Sequence, residues 1–140
     1  MFSKTERVYY EDTDAGGIVY HANYLKYMER SRCDWLAGLG FSVTDLIERD
    51  RVMFVVREAS LTYEKPATLF DELTVVTRAL QVGKVKLVAE QCIYTADDLL
   101  CRGEIKLATL HSDTQALIAM PEPLREALQQ ERVKAFTECA

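Results

Sequence analysis

Little in this sequence favours metal, disulfide or nucleic-acid chemistry. Its four cysteines (Cys33, Cys92, Cys101 and Cys139) are scattered and form no C-x-x-C pair, so free thiols are expected rather than a zinc site or disulfides. No Lys/Arg cluster is present, and 17 basic against 22 acidic residues leave a net charge of −5. That balance speaks against a nucleic-acid partner, whose phosphates demand dense positive charge. No run approaches the ~20 apolar residues of a membrane span. Residues 1–7 lack the apolar core of a signal peptide, so a cytoplasmic location is expected. Also missing are the G-x-S-x-G elbow, the Walker loop, G-x-G-x-x-G and H-E-x-x-H, so neither cofactor nor metal is expected.

What is present fits one domain over residues 1–140, with 49% hydrophobic and 28% charged residues and no internal repeat or linker. Residues 5–10 form a β-prone run. Asn23, a favoured N-cap residue, predicts a helix over 23–39. Its apolar stripe is Leu25, Met28, Leu36 and Leu39, widened by Tyr24, Tyr27 and Trp35, and Gly38 and Gly40 end it. Residues 41–50 allow a short helical turn. The period then becomes two. Over 53–63, Met53, Val55, Ala59, Leu61 and Tyr63 share one face, with Glu58, Ser60, Thr62 and Glu64 on the other, until Pro66 stops the strand. Residues 73–82, 84–95 and 100–111 read as further strands, the last with Cys101, Ile105 and Leu107 inward. A helix over 124–135 follows Pro121 and Pro123. The expected architecture is α+β, a sequential antiparallel meander whose apolar face is covered by the early helix.

Chemistry concentrates in Tyr10-Glu11-Asp12-Thr13-Asp14-Ala15-Gly16-Gly17-Ile18-Val19-Tyr20-His21-Ala22-Asn23-Tyr24-Leu25. A glycine loop running into a helix N-terminus can hold a carboxylate beside free backbone donors. Asp14 reads either as a turn-capping aspartate or as a nucleophile or general base. From spacing alone the turn cap is the commoner case. His21 is a packing residue at the helix entry, or a proton donor with its own or Ala22's N–H at the positive end of the helix. Tyr10 is a rim aromatic or an orienting hydroxyl. Glu11 and Asp12 read as solvated loop acids, Glu29 as a second candidate carboxylate, His111 as structural, and Cys33 as a poor nucleophile.

The same stretch strongly resembles the signature of the hotdog-fold acyl-CoA thioesterases. Within them it is most similar to the 4-hydroxybenzoyl-CoA thioesterase branch and its small Tol–Pal-associated members. The likeness continues through Tyr27-Met28-Glu29-Arg30-Ser31-Arg32 and Tyr63-Glu64-Lys65-Pro66-Ala67. It implies a curved antiparallel sheet wrapped around a long central helix, in a homodimer or homotetramer with sites at the dimer interface. It also implies hydrolysis of acyl-CoA to acid and CoA, with Asp14 as nucleophile or base, His21 and Tyr10 beside it, and an acyl carrier protein as a further partner. Two other activities fit the fold: a non-hydrolytic acyl-binding module, and a dehydratase or hydratase. Lys65, Arg57 and Arg102 are the candidate cations for the CoA phosphates.

Overall fold

The computed structural model describes the fold of residues 1–139 and the side chains through residue 132; the Cys139 thiol lies outside the described residues. Strand β1 (Phe2–Arg7) leads through a 3₁₀ turn (Tyr10–Asp12) and a glycine loop into helix α1 (Asn23–Gly38). A short helix α2 (Val43–Glu48), capped by Ser42 accepting from the Asp45 N–H at 3.1 Å, precedes the remaining strands. These are β2 (Val52–Tyr63), β3 (Glu72–Val82), β4 (Lys86–Thr95) and β5 (Asp98–His111), and helix α3 (Glu122–Cys139) closes the order.

The sheet is antiparallel throughout, in the order β1-β3-β4-β5-β2. β3, β4 and β5 form the expected meander. β2 departs from it. Rather than turning back at Pro66 to pair with β3, the chain crosses the molecule and leaves β2 on the far edge, paired with β5. The crossover has other partners for its backbone: Val19 N–H donates to Ala67 O, Phe70 N–H to Val8 O, and Thr68 bridges Ile18.

The alternation in β2 also needs correction. A bulge between Val56 and Glu58 leaves Arg57 unpaired, so Val52, Phe54 and Val56 share the face of Ala59, Leu61 and Tyr63, while Met53 and Val55 lie opposite. In β5 the expected inward set of Cys101, Ile105 and Leu107 is buried, together with Gly103.

Helix α1 lies on the inner sheet face with Tyr24, Tyr27, Met28, Ser31 and Trp35 buried. Leu25 is not among them; it is partly exposed at the edge of the buried stripe. The fit against β5 is close, since a Cβ on Gly103 would sit 2.8 Å from Met28 Cε. Leu39 and Gly40 end the helix, with Gly40 at φ 93°.

Candidate active site

The glycine loop is a miniature hairpin. Thr13 bridges Val19, Asp14 N–H donates to Ile18 O at 2.9 Å, and Gly17 N–H donates to Asp14 O at 3.0 Å. Gly17 takes φ 78°, a left-handed conformation that side chains resist. Asp14 occupies the exposed tip. Its Oδ1 accepts from Gly16 N–H at 2.8 Å, which fixes the carboxylate while Oδ2 has no partner among the described residues.

The acid two residues earlier has a different environment. Asp12 is 7% exposed, and its carboxylate accepts from Tyr9 N–H at 2.9 Å and Asn23 Nδ2 at 3.0 Å. It is a buried anchor, not a solvated loop acid. This changes the expectation for Asn23 as well. The N-cap position belongs to Ala22, which has helical backbone angles and no side-chain cap, and Asn23 spends its amide tying the helix start to Asp12. Tyr20 N–H donates to Asp12 O at 2.9 Å, adding a second tie.

His21 stands at the helix entry with its ring exposed between Tyr20, 4.6 Å away, and Tyr63, 6.5 Å away edge-on. Its carbonyl accepts from Tyr63 Oη at 2.7 Å. The N–H groups of His21 and Ala22 have no acceptor among the described residues. Two donors are thus open beside the positive end of α1.

Tyr10 lies outside the first strand, which stops at Arg7 because Val8 turns to bond the crossover at Asp71 O and Phe70 N–H. It opens the 3₁₀ turn and is 82% exposed. Among the described residues no hydrogen bond joins the side chains of Tyr10, Asp14 and His21. What the fold brings together is the Asp14 loop and the His21 helix entry, through Asp12. His111 is structural, its Nδ1 accepting from the Asp113 and Thr114 N–H groups. Lys65 is paired with Asp98 at 3.1 Å, while Arg57 sits on the β2 bulge and Arg102 on the outer side of β5.

Two tyrosines at the site, Tyr24 and Tyr63, lie in the stretches that carry the family likeness, but the sequence assigns neither a role of its own. Tyr63 holds the His21 carbonyl. Tyr24 Oη accepts from Ala67 N–H at 3.2 Å and so clamps the crossover to the helix. Burial raises the pKa of both hydroxyls, which keeps them neutral hydrogen-bonding groups near pH 7.

A cavity of about 450 Å³ opens between α1, α2 and the inner face of β2. Leu25 and Ala59 mark one end and Leu36, Leu46 and Val52 the other. None of Tyr10, Asp14 and His21 lines it, yet its near end lies one helical turn beyond His21 and four residues before Tyr63. Glu29 is on its wall, exposed.

A family model for the thioesterase-like superfamily matches residues 8–128. The chain belongs to that superfamily. Among relatives of this thioesterase-like chain, the acyl-CoA thioesterase YbgC of Haemophilus influenzae is 36% identical over 126 residues, covering 90% of this chain and 93% of that protein. The acyl-CoA thioester hydrolase YbgC of Escherichia coli O157:H7 is 38% identical over 125 residues, covering 89% and 85%. The crystal structure of a probable thioesterase from Bartonella henselae superimposes with a TM-score of 0.82 at 30% identity, covering 85% of this chain and 98% of that one. The superfamily's hotdog arrangement, a sheet around one long helix, is the one β1–β5 and α1 form.

Proposed function

We propose that this thioesterase-like chain hydrolyses acyl-CoA thioesters, as the two named relatives do according to their names. The observation that carries the site assignment is the Asp14 carboxylate, solvent-open at the loop tip with Oδ1 held by Gly16 N–H. The thioester carbonyl accepts hydrogen bonds from His21 and Ala22 N–H, which stabilise the oxyanion as it forms. Asp14 Oδ2 then acts on the carbonyl carbon, as nucleophile or as base for a water. The C–S bond breaks and CoA leaves as thiolate, taking a proton from solvent or from the exposed His21 ring; where Asp14 is the nucleophile, a water then cleaves the acyl–Asp14 anhydride, releasing the acid and restoring the carboxylate. Tyr10, on the turn leading into the loop, orients water or substrate. The cavity along α1 receives the acyl group. An acyl group presented on an acyl carrier protein would meet the same loop and is a second substrate to assay.

Two copies complete this reading. β2 is a twelve-residue edge strand with residues 56–60 exposed, the kind of edge that pairs with another strand. A second copy pairing there would cover the mouth of the cavity, and two such dimers would make a tetramer. The same reading places the enzyme in the cytoplasm with its substrate.

Asp14→Asn is isosteric and keeps the bond from Gly16. It is expected to retain its circular dichroism and elution volume while kcat falls about 100-fold or more, followed as thiol release from an acyl-CoA panel. Near-normal turnover in that variant would remove Asp14 from the mechanism.

A further inference from the structure

One charge in the cavity has no part in the chemistry above. Arg32 is half-buried in the cavity wall, where its Nη1 donates to Gln91 Oε1 at 2.8 Å. Gln91 is 0% exposed and spends both amide hydrogens on Met28 O and Thr77 Oγ1, each at 2.9 Å. Thr77 Oγ1 lies 3.1 Å from Ser31 Oγ in turn. This buried polar chain fixes the guanidinium from the sheet side. Among the described residues no carboxylate closes an ion pair on Arg32. Glu29, one turn earlier on the same wall, acts on it through charge alone. A guanidinium has five N–H donors and stays charged. Among the described residues none of its other nitrogens is both buried and unpartnered, and the residue lines the cavity.

Apart from Glu29 the rest of the wall is largely apolar, with Leu25, Val56, Ala59 and Leu107 among its residues. A charged fork on the wall of a largely apolar channel is complementary to an apolar chain that ends in an anion. Carboxylate is the anion that matches the fork two-pronged. Ten residues of helix separate Ala22 from Arg32, about 15 Å of rise, and helical side chains lean back toward the N-terminus. A short acyl group therefore falls short of it. A plain chain of full length sets a methyl against the guanidinium and strips it of water without replacing it.

We propose that Arg32 is a specificity residue, and that the acyl group this enzyme takes is of medium length and ends in a carboxylate. The proposal rests on the thioesterase reading. Glu29 opposes an anionic tail, so the preference depends on the tail seating on Arg32, and Glu29→Gln strengthens it.

The test compares octanoyl-CoA with suberyl-CoA, equal in length and differing by the terminal carboxylate, on wild type, Arg32→Met and Arg32→Lys. The expected wild-type kcat/KM favours suberyl-CoA by at least about tenfold. The preference collapses in Arg32→Met through loss of suberyl-CoA turnover, and Arg32→Lys retains part of it. A wild-type preference for octanoyl-CoA overturns the proposal, as does an equal fall for both substrates in Arg32→Met. So does dissociation of the oligomer with the ratio intact, which would make Arg32 an interface ion pair. Calorimetric binding of free suberate against octanoate to Asp14→Asn reads the same preference without turnover. If wild type hydrolyses neither thioester, the thioesterase reading fails, and suberate binding still decides for or against Arg32.

Discussion

Asp12 and Asp14 are the same residue type two positions apart, and their surroundings separate them completely. One is enclosed by Tyr9 N–H and Asn23 Nδ2, the other stands at an open tip with one oxygen held by Gly16. The two glycines beside Asp14 have separable tasks. A Cβ on Gly16 would lie 3.2 Å from Asp14 Oδ1, whereas Gly17 has open space around it but φ 78°. Gly16→Ala is therefore expected to disturb the carboxylate, lowering kcat while the denaturation midpoint barely moves. Gly17→Ala is expected to cost about 1–2 kcal/mol of stability through backbone strain, read as a lower urea midpoint. Equal effects of both on both readouts would contradict this division. Spacing alone could not show that Asp12 is buried, because what encloses it is an amide eleven residues away. Nor could it show that Asn23 faces back to Asp12 instead of capping the helix.

At the scale of elements, α1 and β5 were legible and β2 was not. The helix was visible because Met28, Trp35 and Leu36 repeat at the helical period and all are buried. β5 keeps strict alternation from Cys101 to Leu107 because the extra residue of the bulge opposite Leu107 and Lys106 sits on β2, leaving consecutive β5 residues paired, and its shift against β4 falls outside, at Ile93/Tyr94. In β2 the bulge at Arg57 reverses which residues face inward, and nothing about Val55-Val56-Arg57-Glu58 announces it. The order of strands was hidden too, since a proline-containing segment looks alike whether it turns a hairpin or crosses a sheet. The contact between α1 and β5 makes its own prediction. Gly103→Ala forces Met28 Cε and Sδ, 2.8 and 2.9 Å from the new methyl, to move. Methionine can swing aside, so the expected cost is about 1–3 kcal/mol with the fold retained. Thermal or urea unfolding checks it, and Met28→Ala in the same chain should recover part of that loss.

Across the whole molecule, several acidic hydrogens are buried in neutral form. Desolvation raises the Cys101 thiol from 9.0 to about 12, with Cys92 nearby adding to the effect. Burial also moves the Tyr27 hydroxyl well above its usual value, next to Asp12. For such groups the folded state binds protons more tightly than the unfolded chain. The stability they provide is complete below the unfolded pKa, near pH 9 for the thiol, and is lost as pH rises toward 12. The melting temperature is expected to decline through that interval, and Cys101→Ala should flatten the decline. A profile as steep in the variant as in wild type would assign the loss to other groups.

The strand order also bears on how the chain is made. Among the described residues β2 has its one ladder partner in β5, whose paired residues run from Cys101 to His111. On the ribosome β2 emerges about forty residues ahead of that partner, a wait of several seconds at ordinary elongation rates. Tyr63, at the end of β2, holds the His21 carbonyl, so the helix entry gains that brace only after β5 is out. Until then an exposed strand edge and an unfinished candidate site coexist on the nascent chain. The enzyme becomes competent late in its own synthesis, and a chain truncated before β5 lacks the strand on which β2 seats.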